Sequence, residues 1–303
     1  MTVARRQIAG VAILAGLLLT AGGIIGYRTY SSLTFFEPRR LLSRFPAEDA
    51  LAVSIDVSLL RRAGLLGDSK AAPEPDYKQF VDGTGFDYKR DLDFVAASFS
   101  KSGTFFIARG HFQWPRLREY AIHQGGSCYQ DLCRIEGSRP ERHISFLPLR
   151  DDAMALAVST DDLAATRLTK ASQPLASVPS APVWISVPGA ELRRQNSLPP
   201  GMHMMLSALT SADRIVITFV PAGQAIEARM EATCRTLEDA KALATQLQNT
   251  TRLLKEAAAR NTTAADDEIT ALLTSGSFYQ SDMRVNGKWP VRRTLLAALT
   301  DGI

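Results

Sequence analysis

A chain of 303 residues with 46% hydrophobic and 22% charged side chains has ordinary globular composition, with apolar material for one large core or two small ones. That excludes a disordered chain. The formal charge of +4 falls to +2 once Arg5 and Arg6 are set aside, and acids and bases are interspersed, so no basic face is concentrated enough for a nucleic-acid binder.

The N-terminus carries the strongest signal. Ile8 to Ile25 contains no charged side chain, and with Gly26 and Tyr27 it reaches the length that spans a bilayer core. Arg5 and Arg6 precede it; Tyr27, Arg28 and Tyr30 follow it. This reads as a cytoplasmic tail (1–7), a transmembrane helix or signal anchor (8–27) and a juxtamembrane segment (28–44), with the remainder extracytoplasmic. The competing reading is a cleaved signal peptide with Ile8 to Leu19 as its apolar core and Thr20, Ala21 and Gly22 at the processing site.

Beyond residue 44 the expectation is an α+β fold in two similar antiparallel-sheet-plus-helix halves, 45–170 and 183–303, joined by an Ala, Ser and Pro-rich linker at 171–182. Asp93 to Arg109 and Asp213 to Arg229 align without a gap at an offset of 120, pairing Phe99 with Phe219, Gly103 with Gly223 and Arg109 with Arg229. Each copy reads as strand, glycine turn and strand, with Ile226, Ala228 and Met230 alternating against Glu227, Arg229 and Glu231. A helix follows each hairpin, near Pro115 to His123 and from Leu237 to Arg260. Further strands come next, then closing helices at Asp161 to Lys170 and Pro290 to Leu299. The repeated order implies an internal duplication.

Of the three cysteines, Cys128 and Cys133 would face each other across a hairpin turning at Gln130 and Asp131, a non-hydrogen-bonded pair within disulfide range. The alternative is that both are small apolar fillers, because Gln-Asp is a poor primed turn. Cys234 ends an alternating strand and reads as core.

Two short segments, Phe45 to Ala50 (FPAEDA) and Thr84 to Asp93 (TGFDYKRDLD), resemble an uncharacterised family of N-terminally anchored bacterial envelope proteins. The resemblance implies an envelope location and transfers no activity and no residue role. Within TGFDYKRDLD, Asp87, Asp91 and Asp93 form a candidate acidic site; the plainer reading is a turn-rich loop whose charges keep a strand entry in water.

Other chemistry is missing from the pattern. Gly125, Gly126, Ser127, Cys128 and Tyr129 break the GxSxG nucleophile elbow at its last position. There is no phosphate-cradling or dinucleotide-binding glycine motif, so no cofactor is expected. His111, His123, His143 and His203 are scattered singly, and Met202, His203, Met204 and Met205 read as core filler before they read as soft-metal ligands. The expected function is therefore a non-enzymatic binding or scaffolding module of the envelope, with the membrane and an envelope protein as partners. The alternatives are a hydrolase using the Asp87 to Asp93 acids, and a ligand site between the halves.

Overall fold

The computed structural model describes residues 37–46, 49–66, 75–137, 141–172, 178–192, 209–222, 225–260 and 268–292. These form one continuous twelve-stranded antiparallel sheet. In chain order the strands are β1 (Leu51–Asp56), β2 (Leu92–Ser100), β3 (Gly103–Gly110), β4 (Ser127–Tyr129), β5 (Leu132–Glu136), β6 (His143–Arg150), β7 (Ala153–Ser159), β8 (Val183–Pro188), β9 (Arg214–Ala222), β10 (Ala225–Thr233), β11 (Ser277–Ser281) and β12 (Arg284–Val291). In space they run β11-β12-β10-β9-β8-β1-β2-β3-β7-β6-β5-β4. The helices are α1 (Pro38–Leu42), α2 (Val57–Arg62), α3 (Pro75–Thr84), α4 (Tyr88–Asp91), α5 (Trp114–His123), α6 (Gly189–Leu192), α7 (Leu237–Arg260) and α8 (Glu268–Thr274), with a 3-10 turn at Ala164–Thr169.

Two expectations are corrected here. Among the described residues no helix is long and apolar enough to cross a membrane, and the stretch 8–27 lies outside them. The longest described helix, α7, has the length but not the character: it carries Glu238, Asp239, Lys241, Arg252 and Glu256, and buries only the stripe through Ala240, Leu243 and Leu247. Its start is set by Thr236, whose hydroxyl accepts from the Asp239 amide at 3.0 Å, with acids in the first turn. Nor does the chain form two separate sheets. β1 pairs with β8, Val53 opposite Ile185 and Ser54 opposite Trp184, so two strands that would each leave an open edge satisfy one another's backbone instead.

The gapless offset of 120 does not carry through the hairpins. Phe99 pairs with Thr104, whereas Phe219 pairs with Ala228, so the second hairpin extends further beyond its aligned phenylalanine. Gly103 pairs with Ser100, and Gly223 lies outside the described residues.

The pairing register sorts side chains onto two faces. One face carries the two long helices near opposite edges: α5 packs against β4 and β5, and α7 against β11 and β12. Under α5 lie Leu117, Ala121, Cys133, Phe146 and Met154; under α7 lie Ile215, Met230, Leu243, Leu247 and Val285. The opposite face is covered beside β3 and β7, where α1 and the 3-10 turn bury Phe105, Ile107, Leu147, Ala155 and Ala157. On β10 and β12 that same face presents Arg229 and Lys288 to solvent.

Candidate functional site

The acidic loop ahead of β2 is the first place the sequence directs attention. Asp87 caps α4: its Oδ1 accepts from the Lys89 amide and from the Tyr77 hydroxyl, both at 2.9 Å. The Asp91 carboxylate is gripped by Arg90, from Nε at 2.9 Å and Nη2 at 2.7 Å, and also accepts from the Asp87 amide at 2.9 Å. Asp93 receives Arg61 Nη1 at 3.3 Å, while Arg61 Nε reaches the Lys89 carbonyl at 2.6 Å and its Nη2 the Leu92 carbonyl. Each acid thus has its own local partners, and Arg61 ties α2 to the loop. Hydrogen bonding from Arg90 holds Asp91 below the ordinary carboxylate range, and burial followed by the bond to Asp87 pushes the Tyr77 phenol up. These are the marks of a structural knot, since a general acid needs its pKa moved toward the working pH.

The sign of the Asp91 shift gives a prediction. A carboxylate depressed in the folded state stabilises above its unfolded pKa, about 3.9, and loses that contribution as pH falls through the lowered folded value. Asp91→Asn should therefore lower the urea midpoint at pH 7, and the gap to the parent should narrow only as pH falls below about 4.

A shallow groove of about 720 Å³ lies nearby between α3 and α5, and none of the three acids lines it. Lys78 pairs with Asp82 at 3.1 Å, Glu119 lies 3.7 Å from His123, and Arg116 donates to the backbone carbonyls of Asp82 and Gly83 at 2.8 and 3.2 Å. Tyr120 stands edge-on to Phe80, 5.4 Å between centroids.

Cys128 and Cys133 sit directly opposite on β4 and β5, Cα atoms 4.0 Å apart, and their sulfurs are bonded. Cys133 is fully buried beneath α5, beside Phe146. Gln130 supplies the turn's positive φ, at 50°. Because the bridge closes a loop of only about six residues, its entropic contribution is about 2 kcal/mol. Reduction, or the Cys128→Ser and Cys133→Ser pair, should lower the unfolding free energy by about that amount in guanidinium titrations and release amide protection at Leu132 to Glu136 while leaving β1 and β8 protected. Cys234 is buried and free, its thiol pushed up by burial, which suits a core filler.

The feature that motif reading missed is the middle of the sheet, where burial runs against polarity. On the face opposite α5 and α7, Ser54 is 2% exposed, Ser98 4% and Trp184 2%. On the helical face of the same strands, Leu51, Val53, Ile55, Val95, Val183 and Ile185 are only partly buried, and Phe99 is 41% exposed with Phe106 edge-on at 6.0 Å. α5 and α7 flank this strip, each packed near an edge of the sheet. Aliphatic side chains left partly in water along central strands form a candidate interaction surface, because their burial is what normally drives a sheet together. The alternation of β1 and β8 announced two faces; it could not say that the serine face would be the buried one. Of the other singled-out residues, Met202 to Met205 and His203 lie outside the described residues. His111 lies in the loop between β3 and α5, and His143 opens β6 with a Glu136 carboxylate oxygen 3.2 Å from its ring.

The sequence matches no protein-family model and no curated protein. Among solved structures it is similar to crystal form I of TP0453, with a TM-score of 0.49 and 10% identity over 86% of this chain and 96% of that one. Crystal form III of TP0453 gives 0.48 and 8%, covering 86% and 98%, and form IV gives 0.45 and 7%, covering 86% and 96%.

Proposed function

We propose that this chain is a non-enzymatic binding or scaffolding module of the bacterial cell envelope, holding an apolar partner against the central strip of its sheet. The observation that carries the reading is the partly exposed row of Val53, Ile55, Val95, Val183, Ile185 and Phe99 between α5 and α7, at the junction of the two sequence halves. The Cys128–Cys133 bridge supports an oxidising compartment outside the cytoplasm. Hydrolysis is the weaker reading, because Asp87, Asp91 and Asp93 are each engaged by neighbours and line no groove.

The test uses the full chain and the fluorescent probe 1-anilinonaphthalene-8-sulfonate. The folded protein should enhance its emission, and Val53→Thr with Ile185→Thr, which keep β-branching while removing apolar surface, should weaken the enhancement at least threefold without changing the circular dichroism. A native chain that leaves the probe dark, or turnover of ester, peptide or glycoside substrates in a broad screen, would overturn the reading. So would finding both thiols free to alkylation in intact cells.

A further inference from the structure

The two edges of the sheet are finished differently. β4 is three residues long, bridged to β5 by its cystine, and Arg118 clamps its turn through Asp131 at 2.5 Å. That is a guarded edge. β11 reads Ser277, Phe278, Tyr279, Gln280, Ser281, without a proline or a charge and with an unbroken ladder to β12, in a chain that is 22% charged. Tyr279 and Met283, both 51% exposed, place large apolar side chains along it. Among the described residues β11 carries no proline, charge or bulge, and its guards are its five-residue length and Gln248 of α7.

The hairpin geometry says which backbone groups point outward. Ser281 opposes Arg284 across the two-residue turn Asp282–Met283, where Asp282 takes a φ of 52°. The pair closing such a turn exchanges both hydrogen bonds, and hydrogen-bonded pairs alternate along an antiparallel ladder. Tyr279 and Ser277 therefore bond to β12, while Phe278 and Gln280 direct their amides and carbonyls away from it. The Phe278 carbonyl is indeed reached from outside the ladder, by Gln248 Nε2 of α7 at 3.1 Å, which leaves that oxygen a second lone pair.

We infer that β11 is a self-association edge, pairing antiparallel with β11 of a second copy of this chain about a twofold axis at Tyr279. In that register Phe278 of each copy opposes Gln280 of the other and exchanges both backbone bonds, and the two Tyr279 side chains meet on one face as a close, non-hydrogen-bonded pair. The isologous contact sets Tyr279 against its own copy and brings every other residue of the strand close to its equivalent, so a charge on this short strand would lie near its like; the neutrality of all five residues removes that penalty. A continuous sheet across the axis would place the two charged faces of β10 and β12 side by side.

Sedimentation equilibrium of the full chain should show a reversible dimer. Gln280→Pro removes an outward amide that the ladder to β12 does not use, together with the side-chain bond from Gln280 to the Asp282 carbonyl; it should weaken dimerisation at least about tenfold, whereas Gln280→Ala, which loses only the side-chain bond, should leave the dimer intact. Tyr279→Cys should give a covalent dimer on mild oxidation, because the paired Cα atoms approach to about 4.5 Å, whereas Ser277→Cys, which opposes Ser281, should not. A monomer at high concentration, a dimer indifferent to Gln280→Pro, or cross-linking through Ser277→Cys and not Tyr279→Cys would each overturn the assignment. Loss of the dimer leaves probe binding by the central strip unaffected, so the two proposals fail separately.

Discussion

Phe105→Ala is expected to cost about 3–5 kcal/mol of unfolding free energy, enough to consume much of a typical domain's stability. Phe105 is 0% exposed on β3, sealed by Leu41, Phe45, Ala96, Ile107 and Leu168. Its surroundings are small and rigid: Ala157 lies directly across the ladder and Ser98 on the other side. Alanines cannot lean into the void left by a phenyl ring, so the cavity persists and adds to the lost transfer energy. Phe99→Ala, on the neighbouring strand but 41% exposed on the opposite face, should cost about 1 kcal/mol or less. Urea titrations of the two variants at pH 7 decide the matter. Equal losses would show that both faces of the first half are buried alike and that the central strip is not open.

The contrast between these two phenylalanines shows where reading the sequence stops. Period-2 alternation states that Phe105 and Phe106 point to opposite faces and that residues 225–233 have one wet face. Helix α7 was equally legible, because Leu243 and Leu247 recur at helical spacing and mark a buried side. Which face of β1 would be covered was not legible, because alternation marks two faces without saying which of them other elements will pack on. The joining of β1 to β8 was hidden for the same reason, since an edge strand's backbone carries no mark of its neighbour. In the acidic loop, Lys89 and Arg90 suggested local neutralisation, and Arg90 does hold Asp91. Arg61, which holds Asp93 from α2, is invisible to any local pattern. The cystine was legible only as geometry, because a two-residue turn puts Cys128 and Cys133 opposite each other whether or not the sulfurs bond.

Gly126→Ala should destabilise by about 3 kcal/mol, while Gly125→Ala, one residue earlier, should cost only about 1 kcal/mol. The pair ends α5 in a Schellman arrangement: the Gly126 amide donates to the Ala121 carbonyl at 2.9 Å and the Gly125 amide to that of Ile122 at 3.0 Å. Gly125 holds the left-handed φ of 78°, but an added Cβ there meets nothing, so alanine bears only the local backbone strain. At Gly126 a Cβ would sit 2.1 Å from the Arg134 carbonyl oxygen and 2.8 Å from that of Ala121, and neither backbone atom can swing aside. Relief requires moving the end of α5 off β5 or parting Ser127 from Arg134, and either movement loosens the hairpin that the cystine closes. Thermal melts of the two variants separate the effects, and hydrogen exchange at Leu132 to Glu136 should rise for Gly126→Ala alone. If Gly125→Ala proved the more damaging, positive φ would outweigh close approach at this junction, and the packing of α5 on β5 would be slacker than 2.1 Å implies.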